Sequence, residues 1–134
     1  MRARLGGTAR LGEESGQSMT ELALVLPVLM LILFAIIQFG IAFNNYVTLT
    51  DAVRAGARTA AVSRGVSDPE GAVETAVDTA SADLDTSKVD VDVNSNWGPG
   101  DDVTVTAKYP YSISLFGLIV SSGDLKSTVT ERVE

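Results

Sequence analysis

The sequence lacks the residue types that most often perform nucleophilic, acid–base or metal chemistry. It contains no cysteine and no histidine, so it has no thiolate nucleophile and neither the commonest metal ligand nor the usual general base. Its 17 acidic residues remain as candidates for acid chemistry. They fall on predicted outer faces, however, and none is visibly paired in an apolar pocket. We therefore expect a protein that is not an enzyme and that uses no metal, cofactor or small-molecule substrate.

One acidic residue has a position that needs a physical reason. Glu21 is followed at once by an apolar run, Leu22 to Phe43, in which Gln38 is the only strongly polar side chain. A charged carboxylate at the edge of such a run is costly if it is buried without a partner. In the first helical turn at headgroup level, the same carboxylate would instead interact favourably with the helix dipole. Its position alone leaves both interpretations open.

The apolar run 22–43 predicts a membrane-spanning helix. At 1.5 Å per residue it would span roughly 33 Å, enough to cross a hydrocarbon layer of about 30 Å. A buried core helix is disfavoured because the rest of this 134-residue chain could hardly cover an apolar rod of that length. Arg2, Arg4 and Arg10 precede the run, which predicts a single-pass protein with its N-terminus in the cytoplasm and its C-terminal part extracytoplasmic.

The net charge of −7 is unevenly distributed: residues 1–16 carry three Arg and two Glu, whereas the rest of the chain carries 7 basic and 15 acidic residues, a net charge of −8. Nucleic acid requires a basic surface to neutralise its phosphates, so an acidic domain argues against direct binding of nucleic acid.

Several short motifs in and around the apolar run carry a resemblance to a known family. Gly16 precedes Gln17, and Glu21 is the fifth residue after Gly16. The other motifs are Leu26-Pro27, Phe39-Gly40 and the run Val53-Arg54-Ala55-Gly56-Ala57-Arg58. In combination, the stretch from residue 16 to about residue 65 resembles the TadE-like minor pilins, or pseudopilins, of the tight-adherence (Flp) pilus, a type IV pilus-like system.

The resemblance implies a processing site and an assembly residue. A prepilin peptidase would cut between Gly16 and Gln17 and leave a new α-amino group on Gln17, which is positive near neutral pH. In pilin-like families the glutamate is thought to pair with the amino group of a neighbouring subunit, although Glu21 could pair within its own chain instead. The implied partners are the peptidase, the membrane, other pilin or pseudopilin subunits and the pilus assembly machinery. After assembly the chain would lie in the pilus or stay in the membrane.

The alternative function is an unprocessed, signal-anchored envelope protein with an extracytoplasmic binding domain. In that case the apolar run is only an anchor and Gly16 stays uncut. Pro27, which lacks the N–H of a helical hydrogen bond, predicts a kink in the spanning helix under either function.

The rest of the chain predicts an α+β fold. We expect the first helix to continue outside the membrane to about Ser63 and a second, amphipathic helix to cover 69–85. The second helix would start with a Ser67–Glu70 capping box or with Asp68 as the cap before Pro69. Alternation over 89–93, 103–109 and, more loosely, 127–133 predicts a small three-stranded antiparallel sheet. The expected domains are a cytoplasmic leader over 1–16, a transmembrane and extended helix over 17–65, and an extracytoplasmic α+β domain over 66–134.

Two features of this domain require a covering element. Ala52, Gly56 and Ala60 form a strip of small side chains that lets another element approach closely, and packing on the chain's own domain is favoured over contact with another subunit. The stretch 113–120 is the second most apolar in the chain but is too short to cross a bilayer. We expect it to be buried in the chain's own domain, with the outer lipid leaflet and a partner subunit as the alternatives.

Overall fold

The computed structural model describes residues 10–115 and 117–134, with side-chain surroundings from residue 16 onward. Residues 1–9, which form much of the predicted leader, lie outside the described part. The chain divides into two units, Met1–Ile37 and Gln38–Glu134. Its elements are helix α1 (Arg10–Val62), helix α2 (Pro69–Ala80), a short 3-10 helix (Thr86–Lys88), and strands β1 (Asp90–Asn94), β2 (Asp102–Leu115) and β3 (Leu118–Arg132). The predicted α+β class is confirmed.

Helix α1 contains the apolar run. It begins at Arg10, before the predicted range 17–65, and continues through Pro27 to Val62. Among the described residues, it is the one helix long and apolar enough to cross a membrane, and none of its most apolar window is buried within the chain. This exposure removes the alternative of a buried core helix, because a core helix is covered by its own protein. The helix therefore fits a single-pass membrane anchor.

The three strands form one antiparallel sheet in the order β1-β2-β3. Strand β1 pairs with β2 from Asp90↔Lys108 to Asn94↔Thr104. Strands β2 and β3 form a much longer hairpin, paired from Asp102↔Arg132 to Leu115↔Leu118 with a register shift after Ile113. The third strand therefore begins well before the predicted range 127–133, and the second continues well beyond residue 109.

The long hairpin corrects the expectation for the apolar stretch 113–120. Burial in the chain's own domain is wrong for its second half, since Leu118, Ile119 and Val120 are 72%, 70% and 62% exposed. Ile113 and Leu115 are half-buried. The physical reason is that these residues satisfy their backbone hydrogen bonds by pairing with each other across the hairpin, beyond the part of the sheet that β1 and the helices cover.

The core of the second unit lies between the outer part of α1, helix α2 and the sheet. Gly56 is the point of closest approach: a Cβ atom there would lie 2.5 Å from Cγ2 of Val77 and 3.6 Å from Cγ1 of Val105. The absence of a side chain at Gly56 thus lets α1 pack directly against both α2 and β2. The buried core side chains are Leu49, Ala52, Val53, Ala57, Ala60, Val73, Val77, Leu84, Val103, Val105, Ala107 and Val133.

The N-terminus of helix α2 has the second of the two predicted capping arrangements, with Asp68 as the cap before Pro69. Asp68 is the N-cap, and its Oδ1 accepts a hydrogen bond of 3.0 Å from the backbone N–H of Gly71. Pro69 takes the first helical position, where its missing N–H costs nothing. The buried side of α2 consists of Val73 and Val77, as its apolar spacing predicts.

Replacing the cap should destabilise the second unit. We expect Asp68→Ala to lower the free energy of unfolding by about 0.5–2 kcal/mol, because it leaves a first-turn N–H without its side-chain acceptor. Ser67→Ala is the matched control and should change it little. Urea unfolding of the full chain in detergent micelles measures both, with fluorescence of the single tryptophan, Trp97, as the signal, since Trp97 packs against this core. Equal losses in the two variants would contradict the assignment of the cap to Asp68.

A methyl group at the closest approach should also destabilise this unit. We expect Gly56→Ala to cost about 1–3 kcal/mol in the same measurement, because Val77 must move to accommodate the new Cβ. Gly40→Ala lies in the same helix, and its Cβ meets nothing within 4 Å. Gly40→Ala should leave the free energy of unfolding unchanged or raise it slightly, since alanine is favoured over glycine in helices by about 0.5–1 kcal/mol. A tolerated Gly56→Ala would show that α1 and α2 do not need this close contact.

Candidate functional site

The residues with the most informative spacing lie together on one exposed stretch of α1. Gly16, Gln17 and Glu21 are all helical and exposed, and a Cβ atom at Gly16 would meet nothing within 4 Å. The peptide bond between Gly16 and Gln17 is therefore on the surface but inside a helix. Glycine is about 1 kcal/mol less favourable than alanine in a helix, so Gly16 lowers the cost of local unwinding at this bond.

Two side-chain hydrogen bonds connect successive turns of this stretch. Nε2 of Gln17 donates to Oε1 of Glu21 over 3.1 Å, and Oγ1 of Thr20 donates to the carbonyl oxygen of Gly16 over 2.9 Å. The first bond directs the Glu21 carboxylate back towards Gln17. The second gives the Gly16 carbonyl an additional donor of the kind that Ser and Thr hydroxyls supply within helices.

Glu21 is also the last charged residue before a long uncharged segment. No charged side chain follows until Asp51, which forms an exposed ion pair of 3.1 Å with Arg54. The carboxylate thus stands at the boundary between a polar helix end and apolar side chains that are exposed on all sides. Cleavage before Gln17 would place a positive α-amino group about 6 Å along the helix axis from Glu21, within reach of its side chain.

The other predicted site residues lie elsewhere on α1. Pro27 is exposed within the continuous helix, and its predicted kink stays a prediction. Ala52, Gly56 and Ala60 are buried in the core of the second unit, where Gly56 faces Val77. The structure therefore does not bring these three residues together with Gly16 and Glu21.

A hollow near the C-terminus contains charged residues whose proximity was not predicted from the sequence. Arg54, Arg58 and Arg132 line it with the acidic side chains of Glu131 and Glu134. Beside it, the backbone N–H of Glu134 donates to the carbonyl of Ala61 over 2.9 Å, which holds this residue against α1. Its mixture of charges and its open shape indicate no single class of ligand.

The described residues do not assemble an acid–base or metal centre. Their buried polar residues are Ser63, Ser81 and Ser127, and no group of three or more metal-ligating side chains occurs among them. The carboxyl of Asp85 is exposed; its hydrogen bond with Lys88, at 2.8 Å, lowers its pKa, and the same contact raises the pKa of Lys88. This is a surface ion pair beside the 3-10 helix, where solvent weakens such interactions.

Comparison with known proteins identifies the segment that contains this site. A family model described as TadE-like protein matches residues 16–58. No curated protein and no solved structure matches the chain. The match begins at Gly16 and includes Gln17, Glu21 and Gly56, and it confirms the resemblance over about a third of the chain, 43 of 134 residues. It is consistent with a structural, non-enzymatic protein associated with the tight-adherence pilus and the membrane.

Proposed function

We propose, from the TadE-like segment at residues 16–58, that this chain is a minor pilin or pseudopilin. A prepilin peptidase processes it, and the mature chain takes part in assembling a tight-adherence pilus. The observation that carries the proposal is the position of Glu21, an exposed carboxylate at the edge of the uncharged part of α1. Its side chain accepts a hydrogen bond from Gln17, and Gly16 directly precedes Gln17.

The cost of a charge in hydrocarbon supports a pairing role for Glu21. A carboxylate that enters a bilayer or a helical assembly needs an opposite charge, because an unpaired one loses its hydration. Removal of residues 1–16 supplies that charge at Gln17. The pairing partner is the amino group of a neighbouring subunit or of the same chain, and in both cases the pair lowers the cost of packing the helix ends together.

The charge distribution supports the orientation in this proposal. Three arginines precede the apolar helix, and no basic residue follows it before Arg54. Positive residues are retained on the cytoplasmic side, so the leader would face the cytoplasmic peptidase and the acidic second unit would face outward.

The competing function is a signal-anchored envelope protein that is never cut. N-terminal sequencing and intact mass of the protein from its native membrane distinguish the two functions, in cells with and without their prepilin peptidase. We expect a chain that begins at Gln17 only when the peptidase is present. Gly16→Leu should retain residues 1–16, whereas Gly12→Leu, in the same leader, should be processed normally. A wild-type chain that keeps its leader in both strains would overturn the pilin function and leave the anchored protein.

A second prediction concerns assembly after processing. We expect Glu21→Gln and Glu21→Ala to be cleaved but to enter the pilus or its membrane complex much less than wild type, because the amino group of Gln17 then lacks its carboxylate. Asp51→Asn removes an exposed carboxylate outside the apolar run and should assemble normally. Immunoblots of sheared pili and of affinity-purified complexes measure the incorporated fraction. Normal incorporation of Glu21→Gln would rule out the charge pair.

A further inference from the structure

The end of the β2–β3 hairpin exposes a compact apolar surface that nothing described in the chain covers. This surface, the apolar tip, consists of Leu118, Ile119 and Val120. The register shift after Ile113 leaves Val120 as an extra residue between the partners of Ile113 and Ser114. Three consecutive large apolar side chains are therefore presented at the tip, most of their surface open to the surroundings.

The tip belongs to a two-stranded ribbon that extends beyond the three-stranded sheet. Strand β1 pairs with β2 only as far as Lys108, which is also opposite Lys126 of β3. From Tyr109 to Gly123 the ribbon carries no charged residue. Charged side chains thus occur where the ribbon leaves the sheet, at Lys108, Lys126 and Asp124, and are missing from the remainder of the ribbon up to its tip.

The hairpin extends from the C-terminal end of helix α1 in the direction of Gln38, where the second unit begins. Glu134 is hydrogen-bonded to Ala61, whereas Val129 pairs with Val105, which lies against Gly56. The step from Glu134 to Val129 covers five strand residues, about 17 Å. The corresponding step from Ala61 to Gly56 covers five helix residues, about 7.5 Å. The hairpin is therefore inclined to the helix and advances along it by a little less than half of its own length, in the direction of decreasing helix numbers.

The ribbon is long enough to reach the neighbourhood of the apolar run. From Val129 to Leu118 there are eleven more strand residues, about 36 Å. At the same inclination the ribbon advances about 16 Å along the helix from Gly56, which brings its tip to about the level of Asn45, two residues from the end of the apolar run at Phe43.

Helix α1 is itself apolar and exposed at that end of the second unit. Phe39, Ile41 and Phe43 are 66%, 54% and 69% exposed and continue the segment that fits a membrane anchor. Tyr109 and Tyr111 stand between the charged base of the ribbon and its tip, the position that amphipathic aromatic rings occupy at membrane–water interfaces. Two separate elements thus carry apolar surface towards the same level.

We propose that the apolar tip inserts into the lipid bilayer that the chain's own helix crosses, on the side that holds the second unit. The second unit would then contact the membrane at two points, α1 and the hairpin, which restricts its rotation about the helix. Lipid suits this surface better than a protein partner, because the tip is apolar and uncharged and lies near the level at which the apolar run of α1 ends. This inference depends on the membrane-anchor part of the proposed function but not on processing or pilus assembly.

Single-cysteine labelling tests the insertion directly, because the native chain contains no cysteine. The full chain is reconstituted in phosphatidylcholine vesicles with or without bromine atoms on the acyl chains, which quench a nearby fluorophore. The label is placed at Ile119→Cys in the tip and, as a matched control, at Glu131→Cys, an exposed residue near the base of the same hairpin. A third label at Leu33→Cys reports whether the apolar helix itself is inserted.

We expect brominated lipid to remove most of the fluorescence at positions 33 and 119 and little at position 131. Quenching at 33 without quenching at 119 would overturn the insertion of the tip while leaving the anchor intact. If position 119 is also protected from aqueous iodide in that case, a second copy of the chain covers the tip, which equally contradicts the proposal. Absence of quenching at 33 would overturn the membrane anchor and the inference together.

Discussion

The structure depends on one constraint, the cost of exposing an uncharged apolar helix to water. From Leu22 to Thr50 helix α1 has no charged side chain, and its apolar residues up to Phe43 are exposed in the chain on its own. Burial of each such side chain is worth about 1.5–3 kcal/mol, so a surface of this extent needs an apolar environment, and the helix fits a membrane anchor. The position of Glu21 agrees with this constraint. It is the last residue before the uncharged segment, where a carboxylate can still contact water or an opposite charge.

The same helix changes its role after the apolar run. From Leu49 onward it supplies one side of a small core, with alanines, a valine and a glycine in place of the larger side chains of the apolar segment. Small residues allow α2 and β2 to approach α1 closely, and a modest domain gains stability from dense packing rather than from large side chains. One continuous helix is therefore compatible with two environments because its side chains change along its length while its backbone does not.

The hairpin shows where a general expectation about apolar sequence did not hold. An apolar stretch in a small domain is usually covered by that domain, but here β2 and β3 pair with each other for longer than β1 can follow. Backbone hydrogen bonding was satisfied without burial of the side chains. Tyr111 packs over Gly123, whose missing side chain leaves room for the ring, so the extended ribbon has packing of its own.

Local patterns in the sequence determined much of this protein. The length and lack of charge of 22–43 predicted the exposed apolar helix, the spacing of Gly16 and Glu21 pointed to the family segment, and strict alternation located β1 and the first half of β2. These features depend on residues close in sequence, which is why they can be read without a structure. Tertiary structure alone decided the choice of Asp68 over Ser67 as the cap, the approach of Val77 to Gly56, and the exposure of Leu118–Val120. Each of these depends on residues that are distant in sequence or on the competition between local hydrogen bonds, and neither hydrophobicity nor periodicity contains that information.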